Sequence, residues 1–373
     1  MHRFVAIDSG KYQTKYASCD ENGENIITDI FRTKITDNAL MDDDYIEKAT
    51  CIVEIDGKTY KVGNRALRSA DLVTSKKSDI HRISTLTAIA KCCSDDEIDD
   101  IDVAFGIPIA DFDNRVAKME YKDFILPKLE LDEKATQETK TYVYKPSDVI
   151  EVTLRETTDS IPITKRFRIL SKVVYPESSG VFYENPILFA NRPASVIDIG
   201  NLNINCMICN NFEYITESII TADLGGSIMM TRLMDKVRTE LQTPCDLNTI
   251  AYALKHKRVI PFSSDANKEK EERSTEIINS FLLEYASDIK AKCLAKNWAL
   301  DNMIICFIGG TTELISDELK AVFGSGIYIP DEPTYCNVLG FLKLLYSKRT
   351  KKNLKIAKPV EETANTEEKE EVA

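Results

Sequence analysis

Short apolar runs alternate with longer amphipathic stretches along most of the chain. Three runs have the length of a buried strand: Phe4–Ile7, Ser195–Ile199 and Met303–Ile308. Ser274–Lys296 instead carries apolar residues at helical spacing, which predicts a long amphipathic helix. Helices are also predicted at Gly226–Gln242 and Asn337–Lys348. This mixture of elements predicts an α/β fold.

Two tight turns predict antiparallel hairpins. Asp8-Ser9-Gly10 lies between the first apolar run and a return strand at Lys15–Cys19, and Asp56-Gly57 joins two further short runs. Three other stretches have patterns that predict secondary structure: a largely helical Arg65–Ala90, paired strands at Tyr142–Thr157 and Thr164–Tyr175, and a short strand at Ile327–Ile329.

The two halves of the chain repeat one local pattern. In each half an apolar run ends in an aspartate that precedes a glycine by two positions, namely Asp8 before Gly10 and Asp198 before Gly200, 190 residues further on. This period is too long for a solenoid and predicts two pseudo-symmetric domains that face a shared cleft. The predicted boundaries are 1–185, completed by a helix at 335–348, then 186–334, then a charged tail without fixed structure at 349–373.

Composition narrows the classes of protein. Of 373 residues, 43% are hydrophobic and 29% are charged, which is enough apolar content for two cores. No apolar stretch reaches the roughly 18–20 residues of a membrane helix, and the N-terminal residues lack a signal-peptide layout, so we expect a cytoplasmic protein without a membrane partner. The net charge of −12 disfavours direct binding to nucleic-acid phosphates.

The cysteines and histidines offer little metal chemistry. Cys206 and Cys209 have CxxC spacing, but no second pair lies near them and they fall inside a strand-like run. The ten cysteines are therefore expected to be reduced thiols, and the three histidines are too scattered for a metal site.

The two Asp-x-Gly turns suit phosphate chemistry. A tight hairpin tip exposes successive backbone N–H groups, which can hold phosphate oxygens. Asp8 and Asp198 cannot bind phosphate themselves, but each can orient Mg²⁺ through water, and Lys15 on the return strand can reach the same phosphates. A third strand ends in Gly309-Gly310, a pair that can pack flat against a nucleoside. Together these features indicate a nucleotide cleft.

These motifs resemble those of the actin-like ATPase superfamily, which includes actin, the heat-shock chaperones and the sugar kinases. The resembling segments are the two phosphate motifs at Ile7–Lys15 and Ile197–Gly200, the connecting motif at Asp223–Ser227, the adenosine motif at Ile308–Ile315 and the stretch at Val174–Gly180. Tyr60–Ala66 and the Pro-Glu-Ser at 176–178 make the sequence most similar to the ParM- or Alp-type plasmid-segregation actins.

The resemblance implies an actin-like fold with Mg-ATP, or GTP, between two α/β domains. It implies that Glu177 positions the attacking water, while Asp8 and Asp198 orient the hydrated Mg²⁺. The residues that it implies around the nucleotide are Ser9, Gly10, Lys11, Lys15, Gly200, Asn201, Asn203, Gly225, Gly226, Gly309, Gly310 and Thr311. Lys255, Lys257 and Arg258 are candidates for contacts with adenine or ribose.

The expected function is an ATP hydrolase that polymerises head to tail and moves plasmid DNA through a DNA-binding adaptor. Two alternatives stay open. A sugar-type kinase would share the cleft and would need an aspartate base, for which Asp111 and Asp113 are available. A non-hydrolysing scaffold is the other, because Asn201-Leu202-Asn203 replaces the second glycine and the hydroxyl residue that the family has in its second hairpin.

Overall fold

Two β-sheets form the frame of the protein. The computed structural model describes residues 1–43, 46, 49–70, 75–140, 142–256, 258–261 and 268–356. The strands are β1 (His2–Ser9), β2 (Gln13–Asp20), β3 (Ile27–Arg32), β4 (Lys34–Asp37), β5 (Thr50–Ile55), β6 (Lys58–Gly63), β7 (Arg68–Ser69), β8 (Ile98–Ile107), β9 (Ile150–Arg155), β10 (Ile163–Pro176), β11 (Pro193–Ile199), β12 (Ile204–Asn210), β13 (Glu213–Ala222) and β14 (Ile304–Ile308).

The helices cover the faces of these sheets. They are α1 (Asp79–Cys92), α2 (Ile109–Phe112), α3 (Arg115–Ile125), α4 (Glu133–Thr139), α5 (Gly180–Glu184), α6 (Pro186–Phe189), α7 (Gly226–Leu241), α8 (Leu247–Lys255), α9 (Lys268–Ala295), α10 (Ser316–Phe323) and α11 (Cys336–Thr350). None of the helices within the described ranges is long and apolar enough to cross a membrane.

The larger sheet has the order β3-β2-β1-β8-β10-β9-β5-β6-β4-β7. Its strand β1 is buried on both faces. Successive side chains of a strand point to opposite sides, so alternate residues of β1 enter different cores. Val5 and Ile7 pack in a core with α1, whereas Phe4 and Ala6 pack in a second core with α11. Helix α11 therefore packs on this sheet, while the assignment of 335–348 to the first domain stays a prediction.

The smaller sheet, β13-β12-β11-β14, repeats the arrangement around β1. Strand β11 pairs antiparallel with β12 and parallel with β14, just as β1 pairs antiparallel with β2 and parallel with β8. Ile197 and Ile199 face a core with α7 and α9, and Val196 faces another with α5 and α6. The predicted repeat of strand, turn and return strand is confirmed, while the exact domain boundary stays a prediction.

The two sheets are linked where α5 and α11 cross. The helices touch through glycine, since a Cβ placed on Gly340 would lie 1.9 Å from the carbonyl oxygen of Gly180. A Cβ placed on Gly180 would lie 2.4 Å from the Cα of Asn337. Neither position has room for a side chain, so this crossing sets the distance between α11 and the start of α5.

Three predicted elements differ from the structure. Arg65–Ala90 is not largely helical: α1 begins at Asp79, and β7 forms because it pairs with β4, a tertiary contact that local pattern does not report. The strand predicted from Tyr142 begins only at Ile150, since Tyr144 bridges to Leu131 instead. Near Ile327, Tyr328 makes one isolated bridge to Cys306 rather than a strand.

The structure describes the first part of the predicted tail, up to residue 356, and all ten cysteines. Helix α11 continues to Thr350, and Leu354 is buried in the core that α11 forms with the larger sheet. Residues 357–373 lie outside the described residues. All ten cysteines are buried free thiols, including Cys206 and Cys209 on β12. Burial raises the pKa of Cys209 to about 12, which is the behaviour expected of a structural thiol.

Substituting Gly340→Ala tests the helix crossing. We expect a loss of about 1–3 kcal/mol in the free energy of unfolding, because the added methyl meets backbone that cannot move aside. Urea denaturation followed by circular dichroism measures this loss. Gly326→Ala is the control, since its Cβ meets nothing within 4 Å and should leave the urea midpoint unchanged or slightly raised. Equal midpoints for the two variants would contradict the role given to the crossing.

Candidate functional site

The two Asp-x-Gly hairpins face each other across a cleft of about 420 Å³. The predicted residues that line it are Asp8, Gly10, Lys11, Lys15, Glu177, Asp198, Gly200, Asn201 and Asn203. Residues that were not predicted as site residues also line it, among them Lys76, Ser178 and Asn337. The fold thus brings together side chains from both sheets and from the crossing of α5 and α11.

The first hairpin is shaped from within. The Gly10 N–H donates to the carbonyl oxygens of Asp8 and Gln13, both at 3.0 Å, which closes the turn. The Ser9 hydroxyl lies 3.2 Å from that of Thr14, and Thr33 donates to the Gly10 carbonyl at 2.7 Å. The side chain of Ser9 is therefore committed to the hairpin. Lys15 lies directly opposite Asp8 in the strand register, so it reaches the cleft as predicted.

The second hairpin, at Gly200–Asn203, accepts hydrogen bonds from residues outside the turn. The N–H groups of Gly225 and Gly226 donate to the carbonyls of Leu202 and Gly200, at 3.1 and 2.9 Å. The Thr311 hydroxyl donates to the same Gly200 carbonyl at 3.2 Å. Gly225, Gly226 and Thr311 therefore support the turn that faces the cleft, while their predicted contacts with the nucleotide stay a prediction.

Gly309 lies beneath the second aspartate. Its φ of +93° is a conformation that favours glycine, and a Cβ would lie 2.6 Å from Asp198 Oδ1. Gly310, its neighbour, would place a Cβ 3.4 Å from Thr334 Oγ1. Gly309 therefore makes room for the Asp198 carboxylate. Neither glycine is among the residues that line the cleft of about 420 Å³.

The two aspartates converge on one amide. Asn337 Nδ2 lies 3.4 Å from Asp8 Oδ2 and 3.4 Å from Asp198 Oδ2. The Ser178 hydroxyl donates to Asp198 Oδ2 at 3.0 Å, from a residue held at a φ of +66°. Burial raises the pKa of Asp198, the Lys15 ammonium opposes this, and the charge of Asp8 adds to it. The two carboxylates therefore repel each other in a place with little water.

Glu177 is paired with a lysine that sequence reasoning missed. Lys76 Nζ donates to Glu177 Oε1, and both side chains are largely buried. Burial raises the pKa of Glu177, and the Lys76 charge counteracts much of that effect. Burial lowers the pKa of Lys76, but the charges of Glu177 and Asp8 outweigh it and the net shift is upward. No pattern marked Lys76, because it precedes α1 in irregular chain 101 residues from its partner.

The cleft has features that fit a metal–phosphate ligand. Across the described ranges, no three His, Cys, Asp or Glu side chains are grouped to hold a metal directly. Two repelling carboxylates would instead fit a hydrated divalent cation, as expected of Asp8 and Asp198. In the second hairpin the buried amide nitrogen of Asn201 has no hydrogen-bond partner among the described residues, which suits a site that takes up an anionic group.

Two of the three candidates for adenine or ribose contact, Lys255 and Arg258, do not line the cleft. Arg258 instead pairs with Glu318 on α10 and donates to the Leu314 carbonyl at 3.3 Å. Lys255 is exposed at the end of α8, and Lys257 lies outside the described residues. Of the two candidate kinase bases, Asp111 lines the cleft, whereas Asp113 accepts hydrogen bonds from Tyr214 and Thr216 on β13.

Comparison with known proteins agrees with this architecture. Residues 6–153 match the family described as "Actin like proteins N terminal domain". A search of curated protein sequences found no match. Among solved structures, the Alp12 filament is 22% identical with a TM-score of 0.67, over 93% of this chain and 99% of that one.

Two further structures extend the likeness. Ta0583, an archaeal actin homolog, is 16% identical with a TM-score of 0.66, over 93% of this chain and 99% of that one. The apo pSK41 ParM protein is 12% identical with a TM-score of 0.65, over 94% and 98%. The chain therefore has the actin-like fold, and the resemblance to ParM- and Alp-type actin-like proteins seen in its sequence motifs is confirmed.

Proposed function

We propose that this protein binds a Mg²⁺-nucleotide in the cleft, polymerises head to tail and hydrolyses ATP within the filament. The observation that carries the proposal is the meeting of two aspartate-bearing hairpins with Glu177 at one point between two sheets. Two proteins of similar fold have been solved as filaments, Alp12 and a 15-stranded ParM filament from Clostridium botulinum, which supports the polymer. A structure of Ta0583 in complex with ADP supports the nucleotide. Head-to-tail contacts are heterologous and therefore propagate as open strands.

Each group in the cleft has a role in this proposal. The backbone N–H groups at the hairpin tips, apart from those of Gly10 and Gly200 that close the turns, hold the phosphates together with Lys11 and Lys15. Asp8 and Asp198 orient water around the metal, and bound Mg²⁺ would supply charge neutralisation at the phosphates. Glu177 positions and polarises the attacking water. Lys76 favours the ionised form of Glu177, which is the form that can accept a proton, against the upward effect of burial on its pKa.

In the cell we propose that filament growth moves plasmid DNA through a DNA-binding adaptor in the cytoplasm. The net charge of −12 supports an indirect link, because an acidic surface repels the DNA backbone. A sugar-type kinase is the second candidate, favoured by the position of Asp111 at the cleft. A non-hydrolysing scaffold is the third candidate. Such a protein would polymerise when nucleotide is added but would release no phosphate.

Substituting Glu177→Gln separates assembly from hydrolysis. We expect light scattering after Mg-ATP addition to rise as in the wild type, because the substitution keeps the shape of the site. Phosphate release should fall by at least about a hundredfold, since the amide cannot accept a proton. Glu54→Gln, at an exposed position of β5, is the control and should change neither signal.

The wild-type traces decide among the three functions. A rise in scattering with a concentration threshold, absent with Mg-ADP, supports a polymerising nucleotide-binding protein. No rise together with steady phosphate release at every protein concentration would remove the filament and direct attention to hydroxyl acceptors and Asp111. Unchanged phosphate release in the Glu177→Gln variant would show that Glu177 is not the base.

Substituting Lys76→Met tests the ion pair through pH. Lys76 lowers the raised pKa of Glu177, so its loss should raise that pKa further. Because Glu177 must be ionised to act, the acid limb of the phosphate-release profile should move to higher pH by about one unit or more. The rate should recover toward the wild-type value in alkaline buffer. Lys77→Met is the matched control. Lys77 is the next residue in the chain, but its ammonium pairs with Glu120 at 2.8 Å and not with Glu177. A loss of rate that is the same at every pH would contradict this role of Lys76.

A further inference from the structure

Asn337 has all of its hydrogen-bonding groups engaged at the point where the two sheets meet. It lies in the first turn of α11 and is only 6% exposed. Its Nδ2 approaches one carboxylate from each sheet, Asp8 and Asp198, at 3.4 Å. Its Oδ1 accepts the backbone N–H of Gly180 at 3.3 Å. An amide has two N–H donors and one oxygen, so each of these contacts has its own donor or acceptor.

These partners fix the orientation of the amide. If the side chain were flipped, Oδ1 would face two carboxylate oxygens and Nδ2 would face the Gly180 N–H, so every contact would be repulsive. The backbone of α11 cannot shift to relieve this, because Gly340 on the next turn is in contact with Gly180. Asn337 is therefore a rigid donor that is aimed at both aspartates.

We propose that Asn337 is a positioning residue that holds Asp8 and Asp198 together for a hydrated divalent cation. The inference rests on the proposed Mg²⁺-nucleotide function and adds a residue outside the two hairpins. Two neighbouring carboxylates separate unless something offsets their repulsion. The amide gives each carboxylate one N–H donor without adding a charge, so it offsets the repulsion while leaving both carboxylates negative for the cation.

Two substitutions act in opposite directions. Asn337→Ala removes both donors, so the aspartates lose their common partner. The Mg²⁺ concentration that half-saturates binding of a fluorescent ATP analogue should rise roughly tenfold or more, the effect expected from losing a hydrogen bond to a charged group. Nucleotide binding measured in EDTA should change less than this. Asn302→Ala, at an exposed position before β14, is the control and should leave the half-saturating concentration unchanged.

Asn337→Asp keeps the shape of the side chain and the acceptor for Gly180 but adds a third carboxylate. The protein should become less heat-stable in EDTA, because three like charges then share one buried place. Mg²⁺ alone, without nucleotide, should restore that loss, whereas the wild type and Asn337→Ala should show little change. A thermal melt in EDTA and in millimolar Mg²⁺ measures both effects without using hydrolysis.

The outcomes separate this inference from the proposed function. If the wild type binds nucleotide with a Mg²⁺ requirement and Asn337→Ala has the same requirement, Asn337 does not position the aspartates. If the wild type binds no nucleotide, the proposed function fails, and the melts of Asn337→Asp still test the cluster. An Asn337→Asp melt that does not respond to Mg²⁺ would overturn the inference in either case. Should Asn337→Ala fail to fold, Asn337→Asp carries the test, since it keeps the contact with Gly180.

Discussion

The contact between the backbones of Gly180 and Gly340 is the constraint on which the rest of the structure depends. Any side chain at either position would push α11 away from the start of α5. With α11 in place, its apolar face covers one side of β1 and its first turn carries Asn337 to the aspartates. The same crossing therefore completes a core and builds part of the cleft. A small shift in packing here would be felt at the carboxylates, because close-packed interiors transmit displacement.

The fold was predictable where local sequence decides local shape. Asp8-Ser9-Gly10 and Asp198-Ile199-Gly200 indicated two hairpins and a cleft, because turn residues and short apolar runs report strand ends directly. Lys76 and Asn337 were not predicted as site residues. Lys76 lies in irregular chain and Asn337 lies in a largely buried helix, so neither has a local pattern that marks it. Their roles come from partners 101 and 329 residues away, and only the tertiary structure brings them together.

The second hairpin shows how a turn can keep its shape with altered residues. In its second hairpin the sequence has Asn201-Leu202-Asn203 after Gly200, without the second glycine and the hydroxyl residue of the family that it resembles. Gly200 nevertheless closes the turn by donating to the Asn203 carbonyl at 3.1 Å, and three groups from behind hold the Gly200 and Leu202 carbonyls. Tertiary hydrogen bonds thus replace a local preference. Gly225, Gly226 and Thr311 thus support the turn, and their contacts with the nucleotide stay a prediction.

The position of α11 also bears on how the chain is made. Ribosomes release the polypeptide from its N-terminus, so β1, β2 and β8 emerge long before the helix that covers one of their faces. Until residues 336–350 appear, Phe4, Ala6 and Ala104 lack the apolar partners that they have in the finished protein. The nascent sheet must therefore wait with an apolar face open to water, which is a surface that chaperones bind and that aggregation exploits. The second sheet is synthesised while this face is still exposed. Helix α11 then covers the face and joins the two sheets.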